Sequence, residues 1–377
     1  MIKRIFDYTV YNLTSHFKKL GEEEKWDFNV SSIILTWGGE KKIMKNNEQI
    51  KVVIAGKHFA GSCNYLKAEL PKISLEMVEL KDLVKKAKSA QIIIPAMAKI
   101  GEEIFKEASS LRLVQQWGAG LDGVDIGSAT RYQVAVANVP TVGSGNAESV
   151  AEWYVMAALG LSRRIGEIRS QVSRGYPWGI PVGQALYGRT AGLIGFGGIG
   201  KALAVRLRPF QMKIIAVKKH PDKITEPDLG VEWVGGIEDL PQLLKRTDYL
   251  FICVPLTVET RNMINEQELS LLPKGTYILN AARGSIINKK VLMKALDSRR
   301  LGGVALDVYW KEPPEPNDPI LDYPNVMATP HIAGISDFSY RGIVAKVAGN
   351  IIRVMEGKLP LHCVNQNLKA SWLRDER

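Results

Sequence analysis

The chain has 377 residues, 46% hydrophobic and 24% charged, a composition that excludes a disordered chain, a collagen and a disulfide scaffold. Lysines and arginines number 50 against 39 aspartates and glutamates. The resulting charge of +11 favours anionic partners; because the basic residues are spread along the chain, small acidic metabolites fit better than nucleic acid. The apolar run Trp153 to Leu161 is about half of what a bilayer span requires, so no membrane contact is expected.

Residues 1–50 carry no readable chemistry and are taken as an N-terminal extension of unknown role. No charged-then-apolar signal peptide opens them, and Asp7 and Glu22-Glu23-Glu24 are out of character for a transit peptide. The sequons at Asn12 and Asn29 carry no meaning in a protein that is not secreted. Cys63, Cys253 and Cys363 stand far apart, without CxxC or metal-ligand spacing. A reducing, cytoplasmic setting and no metal are expected.

At Lys51 the pattern changes. Lys51–Gly56, Gln91–Ile94, Arg112–Gln115 and Val134–Ala137 are short apolar runs that read as buried strands. Helical stretches such as Leu83–Ser89 and Gly101–Ala108 lie between them, which indicates βαβ units and a parallel sheet. Pro140, Gly143 and Gly145 interrupt both patterns, marking a seam. A long helix is expected over Asn146–Arg164, and six further strands at Thr190–Gly195, Lys213–Val217, Tyr249–Val254, Tyr277–Asn280, Gly303–Val308 and Val326–Thr329. Six is the number in a doubly wound dinucleotide sheet. A last helix, about Ser336–Met355, would return the chain to the first domain. The expected fold is α/β: a smaller flavodoxin-like substrate domain (51–145 and 335–377), a Rossmann-type dinucleotide-binding domain (146–334), and the active site in the cleft.

Gly195-Phe196-Gly197-Gly198-Ile199-Gly200 follows a strand and opens a helix, the context a dinucleotide-binding GxGxxG requires. Gly195 permits the tight turn, Gly197 lets the backbone approach a pyrophosphate, and Gly200 lets the helix pack close to the strand. The same residues begin a Walker A pattern, but Ala202 stands where a magnesium-binding hydroxyl is needed. At the end of the second strand an NAD enzyme presents a carboxylate to the ribose; here Lys218 and Lys219 stand instead. Two cations suit the 2′-phosphate of NADP, which is the expected cofactor, with NAD as the alternative.

Several segments, in order, carry a resemblance. They are Trp117 to Asp125, Asn146 to Glu152, the glycine turn, Asn280-Ala281-Ala282-Arg283-Gly284, Ala305-Leu306-Asp307-Val308, Glu312-Pro313, and Thr329-Pro330-His331-Ile332-Ala333-Gly334. Over about residues 51–365 the chain resembles the D-isomer-specific 2-hydroxyacid dehydrogenases, the family of glyoxylate/hydroxypyruvate reductase and D-3-phosphoglycerate dehydrogenase. Arg283, Glu312 and His331 are spaced by 29 and 19 residues, as that pattern requires. The departures are residues 1–50 and Lys218 in place of the usual aspartate.

The resemblance implies hydride transfer between NAD(P)H and a small 2-keto or 2-hydroxy acid, with Arg283, Glu312 and His331 catalytic. Ala119, Gly120 and Leu121 would meet the substrate. Gly198 and Ile199 in the turn, Val254 and Pro255 in a loop under the adenine, Ala281, Ala282, Asp307 and Gly334 would join the cofactor site. A homodimer built largely on Asn146–Arg174 is also implied. The chemistry agrees. A guanidinium holds a carboxylate with a two-pronged fork. A histidine supplies a proton near neutral pH, and a neighbouring carboxylate orients the imidazole and favours its charged form. Cys253 reads as a small buried residue, Tyr309 and Trp310 as packing, and His16, His58, His220 and His362 have no evident partner. Two other readings stay open. One is a dinucleotide-sensing regulatory protein of the corepressor type. The other is a formate dehydrogenase, against which Glu312 argues, since glutamine is expected there.

Overall fold

The computed structural model describes residues 49–56, 60–175, 179–221 and 229–374. Nearly all of the expected extension, with both sequons, His16 and His58, lies outside the described residues.

The β-branched runs form two parallel sheets. β1 (Ile50–Ala55), β2 (Ile73–Val78), β3 (Ile92–Ile94), β4 (Leu113–Gln115) and β5 (Ala135–Ala137) make the first, in the order β2-β1-β3-β4-β5. Its four pairings are all parallel. That order is the flavodoxin-like one. β6 (Thr190–Ile194), β7 (Lys213–Val217), β8 (Val231–Gly235), β9 (Tyr249–Ile252), β10 (Tyr277–Asn280), β11 (Gly303–Leu306) and β12 (Val326–Ala328) make the second, also parallel throughout. Its order, β12-β11-β10-β9-β6-β7-β8, is doubly wound, and the winding reverses between β6 and β9.

The sequence reading missed two strands, so the sheets have five and seven strands rather than four and six. Both missed strands, β2 and β8, are sheet edges. Their residues are only partly covered, as the mixed sequences Ile-Ser-Leu-Glu-Met-Val and Val-Glu-Trp-Val-Gly reflect. Strands of a parallel sheet that are covered on both faces read as continuous apolar runs, as even the edge strand β5 does, whereas β2 and β8 are only partly covered.

Two long helices connect the sheets. Asn146–Ser162 buries ten of its residues, among them Trp153, Tyr154, Ala157 and Ala158, against the second sheet. Asp337–Met355 follows that sheet in the chain, but lays Ile343, Val344, Val347, Ile351 and Val354 on Val52, Ile54, Ile92 and Leu113 of the first. It is fastened there by Asn350 Nδ2, which donates to Gln115 Oε1 at 2.8 Å. Downstream, Asn365 Oδ1 accepts from the Val136 amide at 2.8 Å. Among the described residues no helix is long and apolar enough to cross a membrane.

Candidate active site

In open α/β sheets ligands bind outside the carboxyl ends of the strands, where the winding reverses. Here that place is the end of β6. The Gly195 amide donates to Val217 O at 2.8 Å, and Gly195 takes φ +99°, a backbone few side chains adopt. A Cβ at Gly200 would stand 2.4 Å from Gly195 O, so the following helix, Gly198–Leu207, can approach this closely only without one. A Cβ at Gly197, by contrast, would meet nothing within 4 Å. The turn is thus open at Gly197, while Val142 and Thr141 crowd Gly198, 2.6 and 2.8 Å from where its Cβ would stand. The helix's first amides are unpaired by the helix itself, and this cradle fits a dinucleotide pyrophosphate.

Beside it runs a cleft of about 610 Å³, within the usual range for small-molecule sites. From the second sheet it takes Gly198, Ile199, Val254, Pro255, Ala281, Ala282, Arg283, Asp307, His331 and Gly334. From the loop after β4 it takes Ala119, Gly120, Leu121 and Asp122. That loop is tied to the strand that follows: Asn138 Nδ2 donates to Ala119 O at 2.8 Å and the Val139 amide to Gly118 O at 3.0 Å.

Arg283 follows β10 and reaches across the cleft. Its Nε donates to both oxygens of Asp122, at 3.2 and 3.3 Å, and its Nη2 lies 3.1 Å from Asp122 Oδ1. Nη1 donates to Ala282 O at 2.7 Å. A guanidinium has five N–H donors. These contacts leave one on each terminal nitrogen, the pair that a second carboxylate would take end-on. A Cβ at Gly120 would sit 1.8 Å from Nη2, so a larger residue here would displace the guanidinium from its present place against the loop.

His331 stands 19 residues past Glu312, and its Nδ1 is 2.7 Å from Glu312 Oε2. Glu312 Oε1 accepts from the Tyr309 amide at 2.9 Å, so both carboxylate oxygens are held. Burial opposes ionisation of Glu312, but the hydrogen bond and charge of His331 outweigh it and keep the carboxyl below its ordinary value. With Nδ1 engaged, Nε2 is left to act in the cleft. The His331 backbone is left-handed, φ +56°, a conformation that costs about 1–3 kcal/mol for a residue other than glycine. Asp307 holds it. This carboxylate accepts from Thr329 Oγ1 at 2.6 Å and from the Ile332 and Ala333 amides at 2.8 Å, while the Asp307 backbone carbonyl accepts from the His331 amide at 2.9 Å. Burial raises the Asp307 carboxyl, and these donors work against that rise.

Lys218 and Lys219 lie elsewhere, just past β7 and beside the glycine turn rather than in the cleft. Glu259, an exposed residue of the loop after β9, sits near Lys219. A hydrogen bond from Thr257 first, and the charge of Lys219 among the lesser causes, hold its carboxyl below the ordinary value.

Sequence reasoning assigned no role to Asp122, although it quoted the segment. Nor did it find Tyr154, whose hydroxyl, buried beneath the site, donates to Ile252 O and accepts from the Ala281 amide at 2.9 Å. Tyr154 thereby ties the helix Asn146–Ser162 to the loop carrying Arg283. Cys253, expected to be buried, is only partly so and lines the cleft; desolvation still pushes its thiol up to about 12, which leaves it protonated at neutral pH. Tyr309 donates to Thr329 O at 3.0 Å, and Trp310 to Ile287 O at 2.6 Å.

Residues 155–333 match the family described as D-isomer specific 2-hydroxyacid dehydrogenase, NAD binding domain. The glyoxylate reductase of Korarchaeum cryptofilum is 32% identical over 295 residues, covering 76% of this chain and 86% of its own. The D-3-phosphoglycerate dehydrogenase of Methanocaldococcus jannaschii is 33% identical over 288 residues, 76% of this chain and 53% of its own. Among solved structures, D-lactate dehydrogenase from Aquifex aeolicus complexed with NAD and lactic acid is similar at a TM-score of 0.72 and 25% identity, covering 83% of this chain and 99% of that one. Fold and site together define an α/β oxidoreductase with a nicotinamide dinucleotide-binding sheet. The chain belongs to the D-isomer specific 2-hydroxyacid dehydrogenase family.

Proposed function

We propose that the chain is an NADP-preferring reductase that converts small 2-keto acids to D-2-hydroxy acids. One observation carries the reading: Arg283, with two outward donors, and His331, backed by Glu312, line one cleft beside the glycine turn. Arg283 and the backbone amides of Ala119 and Gly120 hold the substrate carboxylate. When bound, the dinucleotide supplies the hydride. His331 passes a proton from Nε2 to the carbonyl oxygen as charge develops there, and Glu312 keeps the imidazole oriented through Nδ1. In the oxidative direction the same nitrogen accepts the proton. Gly195, Gly197, Gly198, Ile199, Gly200, Val254, Pro255, Ala281, Ala282, Asp307 and Gly334 form the cofactor's walls, and Leu121 flanks the substrate.

Lys218 and Lys219 favour the 2′-phosphate of NADP. Residues 51–145 with 335–377 act as the substrate domain, and 146–334 as the dinucleotide domain. Met156, Ile165, Val172, Val182, Tyr187 and Val205 are exposed apolar side chains on or near Asn146–Arg174, and they support a homodimer built there. Three unpaired cysteines agree with a reducing, cytoplasmic setting. The test is turnover: NADPH consumption with glyoxylate, hydroxypyruvate and pyruvate. Absence of turnover with every keto acid, under conditions where the dinucleotide binds, contradicts the reading and leaves the regulatory alternative.

A further inference from the structure

Beyond the reaction cleft, on the Glu312 side of His331, lies a second hollow of about 390 Å³. The two share Met97, His331, Ile335 and Tyr340, so this wall runs from the reacting centre into the hollow. Gly61, Pro313 and Pro314 form much of the remainder. Of its ionisable groups, Glu312 and His331 are paired with each other, and Tyr309 donates to Thr329 O. Among the described residues no lysine or arginine lines it.

A 2-keto acid is planar at its second carbon. Once the carboxylate points to Arg283 and the carbonyl oxygen to His331, one direction is left for the side chain. We propose, resting on the reductase reading above, that this side chain enters the hollow along Met97, Ile335 and Tyr340, and that the substrates are 2-keto acids with branched aliphatic or aromatic side chains. Glyoxylate has only hydrogen there and leaves the wall unfilled, giving up apolar burial. A phosphate-bearing side chain would bring two negative charges toward Glu312, without a facing cation among the described residues, and such burial is costly. Gly61 controls the room available. A Cβ there would stand 3.8 Å from Tyr340 Cε2, in ordinary contact, so a larger side chain takes up room beside that ring.

The experiment compares kcat/KM for 4-methyl-2-oxopentanoate, phenylpyruvate, glyoxylate and 3-phosphonooxypyruvate, with NADPH and with NADH. The branched and aromatic acids should exceed glyoxylate by about tenfold or more, the range that one or a few methylenes contribute in an apolar pocket. The phosphorylated acid should be poorest. Gly61→Leu should lower the ratio of phenylpyruvate to glyoxylate, and Tyr340→Ala should lower it too by removing the wall. Preference for glyoxylate or for the phosphorylated acid in the parent protein overturns this inference alone. Failure with all four acids sinks the reductase reading and the inference with it.

Discussion

Glu312 and His331 both stand on loops at one end of the seven-stranded sheet, 19 residues apart, whereas Arg283 meets Asp122 across the cleft, 161 residues away. The first pair is the more enclosed: its side chains are 16% and 28% exposed, against 43% for Asp122 and 28% for Arg283. It is also fixed from behind, by the Tyr309 amide on Glu312 and by Asp307 on the turn that carries His331. The second pair depends on the loop after β4 keeping its place against the other sheet. A proton relay needs one rigid geometry. A substrate clamp must admit and release its ligand, and a partly solvated pair suits that, since exposed ion pairs contribute only about 0–1 kcal/mol.

The two pairs should therefore fail differently. His331→Ala removes the acid itself and should cost about 10²–10⁴ in rate, with little change in dinucleotide affinity followed by fluorescence. Arg283→Lys keeps the charge but loses the fork. It should raise KM for 2-keto acids by roughly 10–100-fold, the range of a charge-assisted hydrogen bond; an unchanged KM removes Arg283 from the site. Outside both pairs, NADPH should be preferred to NADH by about tenfold or more. Lys218→Asp should shift that preference toward NADH, and a parent protein that uses NADH better refutes the role given to this loop. The smallest effect belongs to Asp122→Asn, which should raise KM by about two- to fivefold and leave the pH profile in place. A displaced profile would show that the clamp and the relay are not separate.

Much of this arrangement was legible in the sequence, and the parts that were not share a cause. The central strands, the glycine turn and the Arg283, Glu312 and His331 series each write a local pattern. β2 and β8 do not, because each is an edge left partly exposed, where polar residues alternate with apolar ones. Asp122 sits in a segment that could be recognised, yet its partner is set by how two sheets face each other, which spacing along the chain does not encode. Tyr154 reads as one more apolar position on a helix; only the fold shows its hydroxyl between Ile252 and Ala281. The nearness of Glu259 to Lys219 likewise arises from the adjacency of the loops after β7 and β9 around β6.

The central claim is that Glu312 governs the proton that His331 delivers. Its carboxyl is held below the ordinary carboxylate value, so the negative charge beside Nδ1 is present throughout the neutral range and is lost only as the pH falls well into the acid region. Reduction needs the imidazolium, so its rate should fall as rising pH removes that proton, and oxidation should rise over the same interval. Glu312→Gln keeps a hydrogen-bonding group but withdraws the charge 2.7 Å from Nδ1, which makes the imidazolium harder to maintain. The decisive measurement is kcat/KM for keto-acid reduction against pH in the parent and in Glu312→Gln. The account predicts that the variant's fall comes at lower pH. Coincident profiles would contradict it and reduce the Glu312–His331 contact to a structural one.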